Sequence, residues 1–169
     1  YPTRTSYREI APPILYATLT SPPPSHQTPR LKGVRLEGLR YEKRASRKIS
    51  RLLGEAGIPG KVLSGPWLRF TDQTGTNYCQ PDIVVVPLSI ALPVLVFEVK
   101  LTQTDDALQQ LALYVPIVGK ALNRPVVGVQ VFRNIWRGEQ ATEEFLAGPM
   151  LAFERAGLRP LVWHWPDLP

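Results

Sequence analysis

Sulfur and imidazole are scarce in this chain: 169 residues include one cysteine, Cys79, and two histidines, His26 and His164. A single thiol excludes an internal disulfide and any cysteine-rich zinc or iron–sulfur cluster, and an intracellular setting fits best. The histidines lie far apart in sequence and outside any metal-ligand motif, which argues against a histidine-based site. Long hydrophobic runs are missing too. Although 44% of residues are apolar, Pro or charge interrupts every stretch well before the roughly 18 residues of a membrane span, so no membrane-spanning segment is expected. No basic start followed by an apolar run and a small-residue cleavage site is visible, so no secretory signal is expected either. A G-x-x-x-x-G-K-[ST] loop and helicase motifs are also absent, so any motor would have to be another protein.

Positive charge, by contrast, is plentiful. Twenty Lys and Arg against fourteen Asp and Glu give a net charge of +6. That favours a polyanionic partner, because basic side chains that neutralise phosphates release counterions; a merely soluble basic surface accounts for the same number. The length suits one hydrophobic core. Residues 1–30 are rich in Pro, Ser and Thr, including Pro22, Pro23 and Pro24, and are expected to form an extended arm ahead of a single domain over 31–169. The apolar character between Ile10 and Leu19 suits either a short strand or packing against the core.

Turning each residue by 100° makes Gly33 to Gly57 an amphipathic helix. One face carries Leu39, Ala45, Ile49, Leu52, Leu53 and Ala56; the other carries Glu37, Arg44, Arg47, Lys48, Arg51 and Glu55. Gly57, Pro59 and Gly60 stop it. Extended segments follow at Lys61 to Thr71, Asp82 to Pro87 and Pro93 to Lys100, with Gly75, Asn77, Pro81, Pro87 and Pro93 read as turns. A second helix is expected from about Thr104 to Ala121, with Asp105 and Asp106 in its first turn and Pro116 inside it. A strand over Val126 to Phe132, a third helix over Thr142 to Ala156 and a short strand over Leu161 to Trp165 complete the reading. The Pro93 to Lys100 segment is apolar on both parities, so it should be a central strand covered on both sides. The expected architecture is a three-layer α/β/α sandwich around a central mixed sheet.

Charged residues interrupt two of the apolar strands. Asp82 directly precedes Ile83 to Val86, while Glu98 and Lys100 end the run that begins at Val94. A buried charge without a partner costs on the order of several kcal/mol, so such residues need each other or a metal. The strand period points Glu98 and Lys100 to one face and leaves the Val99 backbone carbonyl free for a ligand. Two carboxylates and a carbonyl are hard oxygen donors that suit Mg²⁺ or Mn²⁺. Glu42, flanked by Leu39, Ala45 and Ile49 on the apolar side of the first helix, offers a third carboxylate; a buried salt bridge to an arginine is the alternative for it.

Pro81-Asp82 followed by Glu98-Val99-Lys100 resembles the signature of the PD-(D/E)XK nuclease superfamily. Gln110-Leu111-Ala112-Leu113-Tyr114 resembles the Q-x-x-x-Y motif of its RecB-like and phage exonuclease branch, and Gly38-Leu39-Arg40-Tyr41-Glu42 resembles its first-helix glutamate motif. The resemblance spans about Gly33 to Phe132 and implies a restriction-endonuclease-like form of the sandwich. It also implies a divalent-metal-dependent nuclease acting on DNA, without sequence specificity because no separate base-reading module is evident. In that reading Asp82 and Glu98 hold one or two Mg²⁺ or Mn²⁺ ions with Glu42 and the Val99 carbonyl. Lys100 orients the attacking water or neutralises charge on the phosphate, Gln110 positions the lysine or a phosphate, and Tyr114 contacts a base or the backbone.

Arg40, Lys43, Arg47 and Lys48 would form a phosphate-tracking wall. Trp67, Trp136, Trp163 and Trp165 could stack on unpaired bases, although large aromatics more often belong to cores. Implied partners are DNA, a second copy of the chain for paired cuts, and a separate helicase or recombination protein; the Pro- and Arg-rich make-up hints at a thermophilic or phage source. The competing reading is a nuclease-fold module that binds DNA or docks a protein and has lost turnover.

Overall fold

The computed structural model describes residues 13–28, 30–102, 105–134 and 161–168. The expected helix over Thr142 to Ala156, and Trp136, lie outside these residues. The elements run β1 (Tyr16–Thr20), α1 (Val34–Glu55), β2 (Gly60–Ser64), β3 (Trp67–Asp72), β4 (Gly75–Cys79), β5 (Ile83–Pro87), β6 (Val94–Thr102), α2 (Asp105–Leu122), β7 (Val126–Asn134) and β8 (Leu161–His164). Pro116 lies inside α2. Among them no helix is long and apolar enough to cross a membrane.

Five strands form the main sheet in the order β2-β5-β6-β7-β8. The β2–β5 and β5–β6 pairs are antiparallel and the β6–β7 and β7–β8 pairs parallel, so the sheet is mixed, with β6 at its centre. Alternation along β6 sorts the core into two layers. Phe97 and Val99 face one way, into a cluster with Ile83, Val85, Val129, Val131 and the α1 residues Tyr41, Ala45 and Ile49. Val94 and Val96 face the other way, with Val84 and the α2 residues Leu108, Leu111, Tyr114, Ile117 and Val118. Gly128 on β7 gives α2 its close approach: a Cβ there would stand 3.1 Å from Val115. The three-layer α/β/α sandwich is thus the observed architecture. A three-stranded antiparallel sheet, β1-β3-β4, shares the α2 layer through Ala17, Leu68, Phe70 and Cys79.

Three readings of the sequence change. The buried stripe of α1 is Tyr41, Ala45 and Ile49 with Leu53 half-buried, a strict four-residue repeat, whereas Leu52 and Ala56 are exposed. Tyr41 joins it because its hydroxyl donates to the Trp165 carbonyl at 2.9 Å, leaving the ring free to pack. The segment from Lys61 to Thr71 is two strands in two sheets, because Gly65 adopts φ +58° and turns the chain. Gly75 and Asn77 belong to β4 and not to a turn. The reversal comes earlier, at Gln73-Thr74, where the Asp72 carboxylate accepts from the Thr74 backbone N–H at 2.8 Å and hydroxyl at 2.6 Å and closes the bend. At the end of α1, Gly57 takes φ +66° and donates to Gly54 O while Ile58 N–H reaches Leu53 O, a paired arrangement that caps orphan carbonyls.

Candidate functional site

The ladder between β5 and β6 spans three residue pairs, from Val85↔Leu95 to Ile83↔Phe97. Beyond Phe97, β6 continues beside β7 without β5, which opens a fork between the two strands. A backbone N–H facing such a gap must find another acceptor. The Asp82 carboxylate supplies one, accepting from Val99 N–H at 2.7 Å. Because a strand residue directs its N–H and C=O to the same edge, the Val99 carbonyl opens toward that fork as well. Asp82 is itself anchored by Gly65, whose N–H donates to the Asp82 carbonyl at 2.7 Å, and Gln80 braces that loop by donating to Gly65 O at 3.0 Å.

Glu98 lies across the fork, 2% exposed, in line with Val94 and Val96. Its Oε1 stands 3.4 Å from the Asp82 N–H and its Oε2 3.7 Å from Lys100 Nζ. Burial lifts the Glu98 carboxyl well above the usual range, and the charge of Asp82 adds to this. Burial raises Asp82 as well, against the pull of Lys100 and the Val99 hydrogen bond. Glu42 arrives from α1, one position past the buried Tyr41 and half-buried itself. Desolvation, and then the charge of Asp82, push its carboxyl up to about 8.

The structure therefore brings Asp82, Glu98 and Lys100 into contact and places Glu42 within electrostatic reach. It does not gather the three acids into a ready cage: among the described residues no group of three His, Cys, Asp or Glu is spaced to hold a metal ion. The donor chemistry nonetheless fits a hard dication. Three carboxyl groups and a carbonyl are oxygen ligands, and a dication would supply the positive charge that favours the ionised form of acids whose burial now raises them.

Gln110 and Tyr114 sit on α2, which covers the sheet face that Glu98 shares. Tyr114 is packed in the core, and the Oε1 of Gln110 is buried with no hydrogen-bond partner among the described residues. Arg40, Lys43 and Arg47 are exposed along α1. Lys48 points elsewhere, its Nζ 4.3 Å from the Trp165 ring centroid. Trp163 packs between Phe97 and Trp165, and buried Trp67 meets His26 edge-on.

Three residues of the site went unnoticed in the sequence. Gln130, fully buried, stands opposite Glu98 in the parallel β6–β7 register; its signal was a lone amide in an otherwise apolar strand. Ser46 and Ser64 join across α1 and β2 with their hydroxyl oxygens 3.0 Å apart. They line an open cleft of about 160 Å³ with Glu42, Lys43 and Arg47. Nothing local marks a serine for that role.

No protein-family model matches the chain and no curated relative does. Among solved structures it is similar to a protein from Vibrio cholerae, at 11% identity and a TM-score of 0.47, over 72% of this chain and 29% of that one. It is also similar to a repair endonuclease from Pyrococcus abyssi, at 16% identity and a TM-score of 0.40, over 85% of this chain and 50% of that one. A third similar structure is EndoMS in complex with double-stranded DNA, at 18% identity and a TM-score of 0.39, with the same shares covered. The chain spans half the length of these proteins or less.

Proposed function

We propose that this chain is a divalent-metal-dependent nuclease that hydrolyses DNA phosphodiester bonds without sequence specificity, with its reaction centre at the β5–β6 fork. The observation that carries the reading is the meeting of Asp82, just before β5, with Glu98 and Lys100 in the far half of β6, where burial makes the two carboxylate charges costly and a structural role alone would favour apolar residues. Mg²⁺ or Mn²⁺, held by Asp82, Glu98 and the Val99 carbonyl with Glu42 beside them, would supply charge to polarise a phosphate and to acidify a water.

The chain's own groups do the rest. The Val99 N–H fixes one Asp82 oxygen and so orients the carboxylate. Lys100, one-third exposed and tethered to Glu98, presents an ammonium to charge building on phosphate oxygens. Exposed Arg40, Lys43 and Arg47 hold the flanking backbone of the substrate through contacts blind to base sequence. Gln110 brings an unused acceptor to the α2 face, suited to holding the Lys100 ammonium. Tyr114 supports it from one turn further along the helix.

Plasmid and linear DNA incubated with Mg²⁺, Mn²⁺ or EDTA test this reading. The native chain should cut with either metal and not in EDTA, and Asp82→Ala and Lys100→Ala should each slow cutting by about 100-fold or more. Cleavage that survives both substitutions rejects the assignment. A second reading, a DNA-binding module without turnover, draws on the missing three-acid cage; it predicts binding in EDTA and no cutting with any metal.

A further inference from the structure

We infer that the cleft between α1 and β2 is a seat for one internal phosphodiester, the linkage adjacent to the one at the fork, with the free hydroxyl proton of the Ser46–Ser64 pair and the Arg47 guanidinium as its donors beside the Lys43 ammonium. The position of that second linkage rests on the nuclease reading; the seat itself rests on the cleft. At about 160 Å³ the cleft is far smaller than the roughly 300–1,000 Å³ of pockets that enclose a small molecule. Its occupant is a small group presented by something larger.

The lining defines the chemistry of that group. Among the described residues neither Lys43 nor Arg47 has an ion-pair partner. Ser46 and Ser64 share one hydrogen bond in which either oxygen can donate. Each hydroxyl has a single proton, so whichever one accepts keeps its proton for the cleft. A hydroxyl proton, a guanidinium fork and an ammonium together match phosphate oxygens. Glu42 is the one acid on the wall. A chain-end phosphate carries about −1.5 to −2 charge at neutral pH and a diester about −1, so an internal linkage passes this carboxylate at lower cost.

Register ties the seat to the fork. Ser64 pairs with Ile83, the residue after Asp82, and Glu42 both lines the cleft and lies within reach of the Asp82 charge. A strand with one phosphate at the fork therefore has the next within reach of the cleft on one side only. The seat gives the bound strand a direction.

End-labelled oligonucleotides carrying one methylphosphonate, a neutral linkage, read this out. The native chain should show cutting suppressed at the modified linkage and at one immediate neighbour, always on the same side. In the combined Ser46→Ala, Arg47→Gln, Ser64→Ala variant the neighbour should be cut equally with and without the modification. Native suppression confined to the modified linkage, or an asymmetric pattern that persists in the variant, overturns the seat. A binding arm in EDTA is independent of turnover. Arg47→Gln should lower the slope of log affinity against log salt by about 0.9, and Ser46→Ala with Ser64→Ala should weaken binding about tenfold at unchanged slope. If DNA is bound in this way but never cut, the seat stands and the nuclease reading falls. A serine double variant that binds like the native chain overturns the seat whatever the cleavage result, and no DNA binding at low salt overturns both.

Discussion

Burial and the neighbouring Asp82 charge hold a proton on Glu42 up to about 8 in the folded chain, whereas an unfolded glutamate releases it near about 4.3. Between those values the folded state binds more protons than the unfolded state, so stability falls as pH rises through the window. Asp82 and Glu98 are shifted in the same direction and add to the slope. Glu42→Gln should therefore flatten the decline without abolishing it, as read from urea midpoints in EDTA at about pH 5 and about pH 9. Parallel curves for the two proteins would mean that Glu42 is solvated. The sequence marked this glutamate by its apolar neighbours on the helix, and it marked Asp82, Glu98 and Lys100 by their intrusion into apolar strands. Gln130 shows in the sequence only as a lone amide in an apolar strand. Ser46 and Ser64 left no comparable trace, because a hydroxyl acquires its role from the element that folds against it.

Two glycines of similar local appearance separate helix propensity from tertiary crowding. Gly54 lies in the last turn of α1, and a Cβ there meets nothing within 4 Å. Gly60 opens β2, where a Cβ would stand 2.7 Å from the Val86 carbonyl oxygen and 2.9 Å from Pro87 Cα. Gly54→Ala should stabilise by about 0.5–1 kcal/mol. Gly60→Ala should destabilise by about 1–3 kcal/mol, since backbone and not a flexible side chain must yield. Thermal midpoints moving in the same direction for both would contradict the β2–β5 register.

At this scale the strongly periodic elements, α1, α2, β6 and β7, were legible because their burial pattern is written in the local period. β4 was not, since Gly75 and Asn77 suggest a turn to any local reading. It becomes a strand only because Asp72 closes the bend two residues earlier and β3 offers a partner. β1 was equally undecidable from Ile10 to Leu19, because its pairing with β3 spans about fifty residues of sequence.

The described residues form a mixed sheet with a helix on each side and a smaller three-stranded sheet beside it, and the charged groups gather where the main sheet comes apart. The two core layers are separated by β6, and the fork at its far half is where Asp82 crosses to the Val99 backbone, Glu98 is buried and Glu42 reaches over from α1. Net charge of +6 and the exposed bases along α1 set the surroundings for a polyanion. Under the proposed function these oxygens form one dication site at the fork, and anomalous diffraction from crystals soaked in Mn²⁺ would locate the ion. The expected ion is bound directly to carboxylate oxygens of Asp82 and Glu98 and to the Val99 carbonyl, at about 2–2.3 Å as for hard cations of this size. An ion bound elsewhere, or a fork that stays free of Mn²⁺ at saturating concentration, would contradict that assignment.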